Sequence, residues 1–253
     1  MKYIVSCSFG KDSLAMLLKL LEINYMVDAV VFYDTGMEYQ AIYNNRDRIK
    51  EILEERQIEF VELKPKNSFL YQMLVRPVKD GCKYGYEWCG GTTRWGTADK
   101  TDAIKKYFRV AYPNEEIYEY VGIASDEIQR VKDDPHKLYP LVDWNMTEKD
   151  CLEYCYSKGF DWNEDGVELY EILDRVSCWC CQNKNLKELK NIYKYLPKYW
   201  LKLKGIQSKI DRPMKQYGSV FELEERFKKE IEEERKQVTM EEWEMKQKKL
   251  NLR

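Results

Sequence analysis

A chain of 253 residues is long enough to bury a substantial hydrophobic core, either as one large domain or as two small ones. Its formal net charge is only −2, which excludes a global electrostatic attraction to nucleic acids or membranes, so any such surface must be local. No apolar run reaches the roughly 18 residues of a membrane-spanning helix, and the N-terminus enters a predicted strand without a signal peptide. We therefore expect a cytoplasmic protein with no membrane partner.

Strand and helix patterns alternate over the first 145 residues. The predicted strands are 3–6, 29–33, 59–63, 118–123 and 138–141, and the predicted helices between them are 14–24 and 40–56. The strands are rich in Val, Ile and aromatic residues without strict alternation, which is typical of a parallel sheet covered on both faces. We predict an α/β fold with a doubly wound, mostly parallel, five-stranded, Rossmann-like sheet. Ligands of such sheets bind beyond the carboxyl ends of the strands.

Residues 6–13, Ser-Cys-Ser-Phe-Gly-Lys-Asp-Ser, join the first predicted strand to the first predicted helix. Backbone N–H groups and the helix dipole at such a joint attract phosphate, and Gly10 allows an anion to approach the backbone closely. Lys11 adds a full positive charge, and the predicted hydroxyl contacts are Ser6, Ser8 and Ser13. The loop is not a Walker A motif, because Val5 and Asp12 stand where that motif needs Gly and Ser or Thr.

This loop resembles the PP-loop, Ser-x-Gly-(Gly/Lys)-Asp-Ser, of the PP-loop adenine nucleotide α-hydrolase superfamily, which includes ATP pyrophosphatases and phosphoadenosine phosphosulfate (PAPS) reductases. Four further segments resemble this superfamily in the same order, so that the resemblance covers roughly residues 3–200. They are Asp34-Thr35-Gly36, Arg94-Trp95-Gly96-Thr97 with Lys100, the segment Gly122–Arg130, and Tyr139–Asp150. The resemblance implies an adenine nucleotide, ATP or PAPS, together with Mg²⁺.

The segment after the second strand is predicted to bind the nucleoside. Asp34, at a strand's carboxyl end, can accept hydrogen bonds from a ribose hydroxyl or from adenine, with Thr35 and Gly36 beside it. An Asp-Gly turn without a ligand is the alternative. From the Arg-Trp segment, Arg94 and Lys100 are candidate anion contacts, although Gly96 stands where the family segment has Cys.

The segment after the fourth strand is predicted to lie at the reacting phosphates. Gly122 belongs to the nucleotide contacts, Glu127 is a candidate to bind Mg²⁺ or orient a nucleophile, and Arg130 is a candidate to bind phosphate or sulfate through two hydrogen bonds. Ala124 stands where the family commonly has Arg, which removes one anion contact. A solvated helix start is the alternative interpretation.

Eight cysteines in a reducing compartment favour thiols or metal ligands over disulfides. Cys178-Trp179-Cys180-Cys181 places three thiols in four residues, and the C-x-x-C spacing of Cys178 and Cys181 suits zinc or an iron–sulfur cluster. We predict a metal site of Cys82, Cys89, Cys178 and Cys181, with Cys180 as an alternative ligand. Some relatives carry a [4Fe-4S] cluster, and zinc is the alternative metal. Persulfide-carrying thiols and inert buried cysteines remain open alternatives.

The sequence predicts two domains, a nucleotide-binding α/β domain at 1–145 with a Gly- and Cys-rich insertion at 66–100, and a helical region at 146–253. Later helices are predicted at 186–195, 197–209, 219–236 and 239–250. Segment 184–215 holds ten Lys or Arg residues against two acids, with Tyr and Trp interleaved. This pattern fits either a surface that binds tRNA or DNA, or two amphipathic helices with aromatic residues in the core. The charged C-terminal helix is a candidate oligomer contact.

The resemblance implies an ATP pyrophosphatase-like enzyme that adenylates a substrate, releases pyrophosphate and supports sulfur transfer, with a sulfur donor protein as a partner. Lys11, Asp12, Glu127 and Arg130 are the predicted catalytic residues. A PAPS or adenylylsulfate reductase is the second hypothesis. It is less favoured because those enzymes use a Cys near the C-terminus, whereas the last Cys here is Cys181. A nucleotide- or nucleic-acid-binding accessory protein without turnover is the third.

Overall fold

The computed structural model describes residues 1–79, 81–91 and 93–250, with only the backbone described for 238–250. The chain forms two compact units, Met1–Asn183 and Lys184–Arg253. The strands of the first unit are β1 Lys2–Ser6, β2 Ala29–Tyr33, β3 Glu59–Leu63, β4 Pro77–Val78, β5 Lys83–Tyr84, β6 Ile117–Val121, β7 Lys137–Leu138, β8 Asn163–Glu164 and β9 Val167–Glu168. Its helices are α1 Lys11–Glu22, α2 Gln40–Glu55, α3 Phe69–Leu74, α4 Trp95–Ala111, α5 Pro140–Asp143, α6 Glu148–Ser157 and α7 Leu169–Ile172, with a 3₁₀ helix at Ser125–Arg130.

The central sheet has five parallel strands in the order β3-β2-β1-β6-β7. All five residues of β2 are buried, as expected of an inner strand covered on both faces. The chain runs outward from β1 through β2 to β3 and then returns to β6 on the other side of β1. This order confirms the predicted doubly wound α/β fold and places the switch point between the carboxyl ends of β1 and β6.

The last predicted strand, 138–141, is shorter in the structure. β7 ends at Leu138, and Pro140 occupies the first turn of the short helix α5. Proline lacks the N–H that a strand ladder needs and has a φ angle that suits the first turn of a helix.

Helix α6 belongs to the first unit, although the sequence prediction placed a boundary after residue 145. A capping box between Thr147 and Asp150 begins α6, and the helix packs against α1. Its buried Cys155 thiol lies 3.5 Å from the carbonyl oxygen of Lys11. Residues 146–183 therefore fold with the sheet, and the compact unit ends at Asn183.

The insertion at 66–100 is built around aromatic side chains. Trp88 is fully buried, and the ring of Trp95 lies 4.4 Å from that of Phe69 and 5.8 Å from that of Tyr86, measured between centroids. This packing fixes the start of α4 and the loop that carries Cys89.

The second unit consists of α8 Leu186–Tyr195, α9 Pro197–Gln207 and α10 Val220–Leu250. Tyr193, Trp200 and Phe227 pack together, with ring centroids 5.4 to 6.2 Å apart. Tyr193 and Trp200 are thus packing residues of amphipathic helices, in agreement with one of the two interpretations of segment 184–215. The backbone of α10 is continuous across the break predicted between 236 and 239. Within the described part of the chain, each helix is too short or too polar to cross a lipid bilayer.

Gly122, which follows β6, is predicted to be irreplaceable. A Cβ atom there would lie 2.8 Å from Cα of Ser13, so Gly122→Ala should push the start of α1 away from the sheet. We expect a loss of about 1–3 kcal/mol in the free energy of unfolding, measured by urea denaturation. Gly205→Ala in α9 is the control, because a Cβ there meets open space and the change should be neutral or stabilising. Equal effects of the two substitutions would contradict the close packing of β6 on α1.

Candidate functional site

The loop between β1 and α1 closes on itself through its hydroxyl groups. The Ser13 hydroxyl accepts the backbone N–H of Ser8 at 3.1 Å, and the hydroxyl oxygens of Ser8 and Ser13 also lie 3.1 Å apart. Phe9 has a left-handed φ of 58°, and its carbonyl accepts the indole N–H of Trp162 at 2.8 Å. Gly10 is the N-cap of α1. The backbone therefore forms a tight polar turn at a helix N-terminus, as phosphate loops do. The hydroxyl of Ser6 donates a hydrogen bond to Oε1 of Glu119 in β6 at 2.5 Å.

The Lys11 ammonium is held between two carboxylates. Its Nζ lies 2.9 Å from Oδ1 of Asp12 and 2.6 Å from Oε2 of Glu148, the first residue of α6. Burial alone would lower the pKa of Lys11, but these two carboxylates outweigh it, and the pKa is raised. Lys11 is thus a fixed positive charge at physiological pH, available to a phosphate.

Asp12 is the best-placed group for Mg²⁺. Burial raises the pKa of Asp12, and the nearby charges of Glu148 and Glu127 add to that shift against the opposing effect of Lys11. A divalent cation would relieve this concentration of negative charge. Among the described residues, no three His, Cys, Asp or Glu side chains are arranged to bind a metal by themselves. Asp12 therefore suits Mg²⁺ that arrives with substrate phosphates, which is the common mode for this ion.

A cavity of about 250 Å³ lies against the loop. It is lined by loop residues and by side chains from three later segments: Ser8, Gly10, Lys11, Asp12, Ser13, Gly122, Arg130, Glu148, Tyr170, Asp174, Arg175, Val176 and Ser177. We call it the phosphate cavity. Lys11, Arg130 and Arg175 bring positive charge to its wall, which suits an anion with several oxygens.

Glu127 joins two of these cations. It is buried, and its carboxylate accepts hydrogen bonds from Arg130 and, at 2.9 Å, from Arg175. The predicted catalytic role of Glu127 remains a prediction, since the observed contacts are those of a residue that orients two guanidinium groups. Sequence reasoning missed Arg175, because it lies in an irregular segment outside every motif.

Tyr170 is the second residue that sequence reasoning missed. Its hydroxyl accepts the backbone N–H of Lys11 at 2.8 Å, and its ring centroid lies 5.7 Å from the Lys11 ammonium. The hydroxyl would lie 3.5 Å from a Cβ atom on Gly10. Tyr170 therefore occupies a helix N-terminal donor that a phosphate oxygen would use.

Asp34 is buried directly after β2, at the same edge of the sheet. Its Oδ1 accepts the Gly36 N–H and the Tyr43 hydroxyl, both at 2.8 Å, while the Thr35 hydroxyl donates to Glu38 at 2.8 Å. These bonds fix the orientation of the carboxylate.

Arg94 and Lys100 lie outside the lining of the phosphate cavity. Arg94 is exposed, and its Nε donates to the Gly91 carbonyl at 3.1 Å. Burial raises the pKa of Cys7 in the loop to about 11, and the positive charge of Lys100 acts in the opposite direction and lowers it.

Four cysteines gather near the loop that follows β2. Cys178 exchanges hydrogen bonds with the thiols of Cys180 and Cys181, and the bond with Cys180 is the main cause that raises its pKa well above the ordinary value. Cys89 lies near enough to Cys181 for their charges to interact. The Cys89 carbonyl accepts the Gln182 N–H at 3.2 Å, which pairs the two backbone segments. We call Cys89, Cys178, Cys180 and Cys181 the thiol cluster.

The thiol cluster adjoins the segment that follows β2. The backbone N–H of Trp179 donates to the Met37 carbonyl at 3.0 Å, and the charge of Glu38 acts on Cys178. The thiols therefore lie next to the loop of Asp34.

The structure does not assemble the predicted four-cysteine metal site. Cys82 is exposed in the turn before β5, and within the described residues no group of three or more ligating side chains has a metal-binding arrangement. The C-x-x-C spacing brings Cys178 and Cys181 together. Cys82, however, is exposed in the turn between β4 and β5 and is not grouped with them. The side chains as they stand do not fit a zinc ion or a [4Fe-4S] cluster.

Comparison with known proteins identifies the family. The model of the phosphoadenosine phosphosulfate reductase domain matches residues 2–184. The chain belongs to this family. An uncharacterized protein of Methanocaldococcus jannaschii is 24% identical over 223 residues, covering 80% of this chain but only 41% of that protein. The chain also matches the U34-tRNA thiolase NcsA from Methanococcus maripaludis, solved with its [4Fe-4S] cluster, at 15% identity and a TM-score of 0.44, covering 92% of this chain and 73% of the thiolase.

Gly96 shows how this PAPS reductase domain departs from the Arg-Trp-Cys-Thr segment that it resembles. A Cβ atom on Gly96 would lie 3.2 Å from the sulfur of Cys89. The thiol of Cys89 thus lies beside the place of the missing Cys side chain. The backbone N–H groups of Gly96 and Thr97 interact with this sulfur and lower the Cys89 pKa, although burial outweighs them and the pKa is raised.

The Tyr170 hydroxyl is predicted to compete with phosphate for the Lys11 N–H. Tyr170→Phe leaves that donor without its acceptor, so the ligand-free protein should lose about 1–3 kcal/mol of stability. ATP should then raise the melting temperature by more than it does in the wild type. Tyr154→Phe is the control, since it removes a hydroxyl bonded to Glu22 outside the phosphate cavity. A smaller ATP-induced shift in Tyr170→Phe would mean that the hydroxyl binds the ligand itself.

Proposed function

We propose that this member of the PAPS reductase domain family binds ATP, adenylates an acceptor with release of pyrophosphate, and transfers sulfur to the activated acceptor. The observation that carries the proposal is the convergence of Lys11, Arg130 and Arg175 on one cavity at a helix N-terminus. The same cavity of about 250 Å³ is also lined by Asp12, Glu148 and Asp174, and with Mg²⁺ on Asp12 the three cations suit a polyphosphate chain better than a single uncharged group.

The adenylation step follows from the charges of the phosphate cavity. An acceptor oxygen attacks the α-phosphorus, the bond to the β-phosphate oxygen breaks, and pyrophosphate leaves as the acceptor oxygen loses its proton. Lys11 stabilises the charge that develops on the α-phosphate oxygens, because its ammonium is already fixed by Asp12 and Glu148 and needs no reorganisation. Arg130 and Arg175, oriented by Glu127, bind the leaving pyrophosphate. Asp12 would hold Mg²⁺, which supplies charge neutralisation at the phosphates when bound.

The sulfur step is assigned to the thiol cluster. A sulfur donor protein would leave a persulfide on Cys89, whose sulfur lies at the N-terminus of α4. The terminal sulfur attacks the adenylated carbon, a C–S bond forms, and AMP leaves. The neighbouring Cys181 then attacks the remaining S–S bond, so that sulfur stays on the acceptor and a Cys89–Cys181 disulfide forms. A thiol reductant must open this disulfide before the next cycle.

The basic segment 184–215 is proposed to contact the phosphates of a nucleic-acid acceptor. Tyr193 and Trp200 pack in the second unit and Tyr195 is the exposed ring, so the contribution that we assign to the segment is mainly charge. Two of its lysines are ion-paired within the unit, Lys190 with Glu230 and Lys204 with Glu224. We therefore assign the segment to affinity and not to base recognition.

Lys11→Ala and Asp12→Ala should each reduce pyrophosphate release at least about 100-fold, because each removes a group that acts on the transferring phosphate. Release is measured with ATP, Mg²⁺ and candidate tRNA or single-stranded DNA. Lys149→Ala should leave the rate unchanged. Lys149 follows Glu148 in the sequence, but its side chain is exposed and forms an ion pair with Glu153 instead. Sulfite production from PAPS in place of pyrophosphate release from ATP would contradict adenylation in favour of a reductase. Tight ATP binding without turnover on any acceptor would favour an accessory role.

Cys89→Ser and Cys181→Ser should separate the two half-reactions. Pyrophosphate release should continue, while sulfur incorporation into the acceptor, followed by mass spectrometry, should fall below detection because each thiol takes part in a bond exchange. Cys82→Ser is the matched control, since Cys82 is exposed outside the thiol cluster. Normal sulfur transfer in Cys89→Ser would exclude Cys89 as the carrier.

A further inference from the structure

A second cavity, of about 710 Å³, lies beyond the carboxyl ends of β2 and β3. Its walls come from the segment after β3, from α3 and from α4, and it shares no lining residue with the phosphate cavity. Its volume lies within the range of small-molecule sites, roughly 300–1,000 Å³. We call this cavity the acceptor cleft.

The acceptor cleft carries both signs of charge. Lys64, Lys66, Arg76 and Lys106 stand on its walls with two carboxylates of α4, Asp99 and Asp102. A ligand without hydrogen-bond donors would meet repulsion from the two acids, and a ligand without anionic groups would leave the basic residues unused. The wall therefore suits a molecule with both phosphate and N–H groups.

The inner wall of the acceptor cleft is held by a buried polar network. The side chain of Gln72 is buried, donates to Oδ2 of Asp99 at 2.6 Å and accepts from Arg76 at 3.2 Å. The guanidinium of Arg76 in turn lies over the ring of Tyr86. These bonds fix Asp99 and Arg76 in place before any ligand binds, which lowers the entropy cost of recognition.

Tyr71 adds an aromatic surface at the rim. Tyr71 is 39% exposed, and its backbone N–H is held by the Ser68 N-cap of α3. Stacking on an exposed tyrosine is a common way to bind a base that is not paired in a duplex.

The position of the cleft links it to both proposed half-reactions. Tyr33 lines it, and the next residue is Asp34. On the other side, Asp99 lies near enough to Cys89 for its charge to act on that thiol. The cleft therefore adjoins both the segment that follows β2 and the thiol cluster.

We infer that the acceptor cleft binds the acceptor as a nucleotide unit, with an unpaired base on Tyr71, its N–H groups toward Asp99 and Asp102, and its phosphates on the basic residues. The inference rests on the proposed function and names the substrate class of the sulfur acceptor. The shared chemistry is a base with phosphate, in a single strand or as a free mononucleotide.

The test compares variants of the full chain for binding of a fluorescent single-stranded oligonucleotide of mixed sequence. Tyr71→Ala should weaken binding roughly tenfold or more, and Tyr71→Phe should retain wild-type affinity because the stacking face remains. Lys106→Ala should reduce the slope of log affinity against log salt by about one phosphate contact. Lys105→Ala on the same helix is the matched control, because Lys105 is exposed and does not line the cleft. Segment 184–215 is unchanged in both lysine variants, so a difference between their salt slopes must come from the cleft and not from that segment.

Competition by mononucleotides and parallel measurements of ATP affinity complete the experiment. Displacement of the oligonucleotide by mononucleotides at similar concentrations identifies a free nucleotide as the acceptor, and failure to displace it identifies a strand; both support the inference. Unchanged binding in Tyr71→Ala, or equal salt slopes for Lys105→Ala and Lys106→Ala, would overturn it. Weaker ATP binding with normal oligonucleotide binding would also overturn it, because the cleft would then hold adenosine. Lys11→Ala should lose pyrophosphate release while it keeps its affinity for the oligonucleotide, so failure of the proposed function can be distinguished from failure of this inference.

Discussion

The buried ammonium of Lys11 ties the parts of the candidate site together. A buried charge is tolerated only when it is paired, and breaking such a pair costs about 3–5 kcal/mol. One partner of Lys11 is its neighbour Asp12, but the other, Glu148, lies 137 residues later at the start of α6. The pairing therefore makes α6 part of the nucleotide site. It also gives a physical reason why the first unit continues beyond residue 145.

The features that sequence predicted well are local ones. Strands β1 and β2 are short apolar runs with clear ends. The phosphate loop that follows β1 holds Gly10, Lys11 and Ser13 within four residues. The pattern of strands and helices predicted a doubly wound, mostly parallel sheet, and the structure confirms it. Tyr170 and Arg175 escaped prediction for the opposite reason. Tyr170 meets the Lys11 backbone across 159 residues, from a four-residue helix too short to show any periodicity.

The cysteines also show that sequence spacing predicts local contacts but not contacts between distant segments. The spacing of Cys178 and Cys181 correctly predicted that these thiols meet, because four residues in one turn cannot separate far. Cys82 and Cys89 are only seven residues apart, yet of these two residues only Cys89 belongs to the thiol cluster. Close backbone packing explains this, because a Cβ atom on Gly90 would lie 2.8 Å from Cβ of Gln182. No spacing rule reveals such a contact between distant segments.

Helix α4 connects the two cavities through its N-terminal turn. Its first N–H groups point at the Cys89 sulfur, its Asp99 faces both that sulfur and the acceptor cleft, and Lys100 lies near the phosphate loop. Because the two cavities share no lining residue, the proposed nucleotide and the proposed acceptor would not compete for the same side chains. Under the proposed function, activation and sulfur chemistry would take place at separate positions along one edge of the sheet.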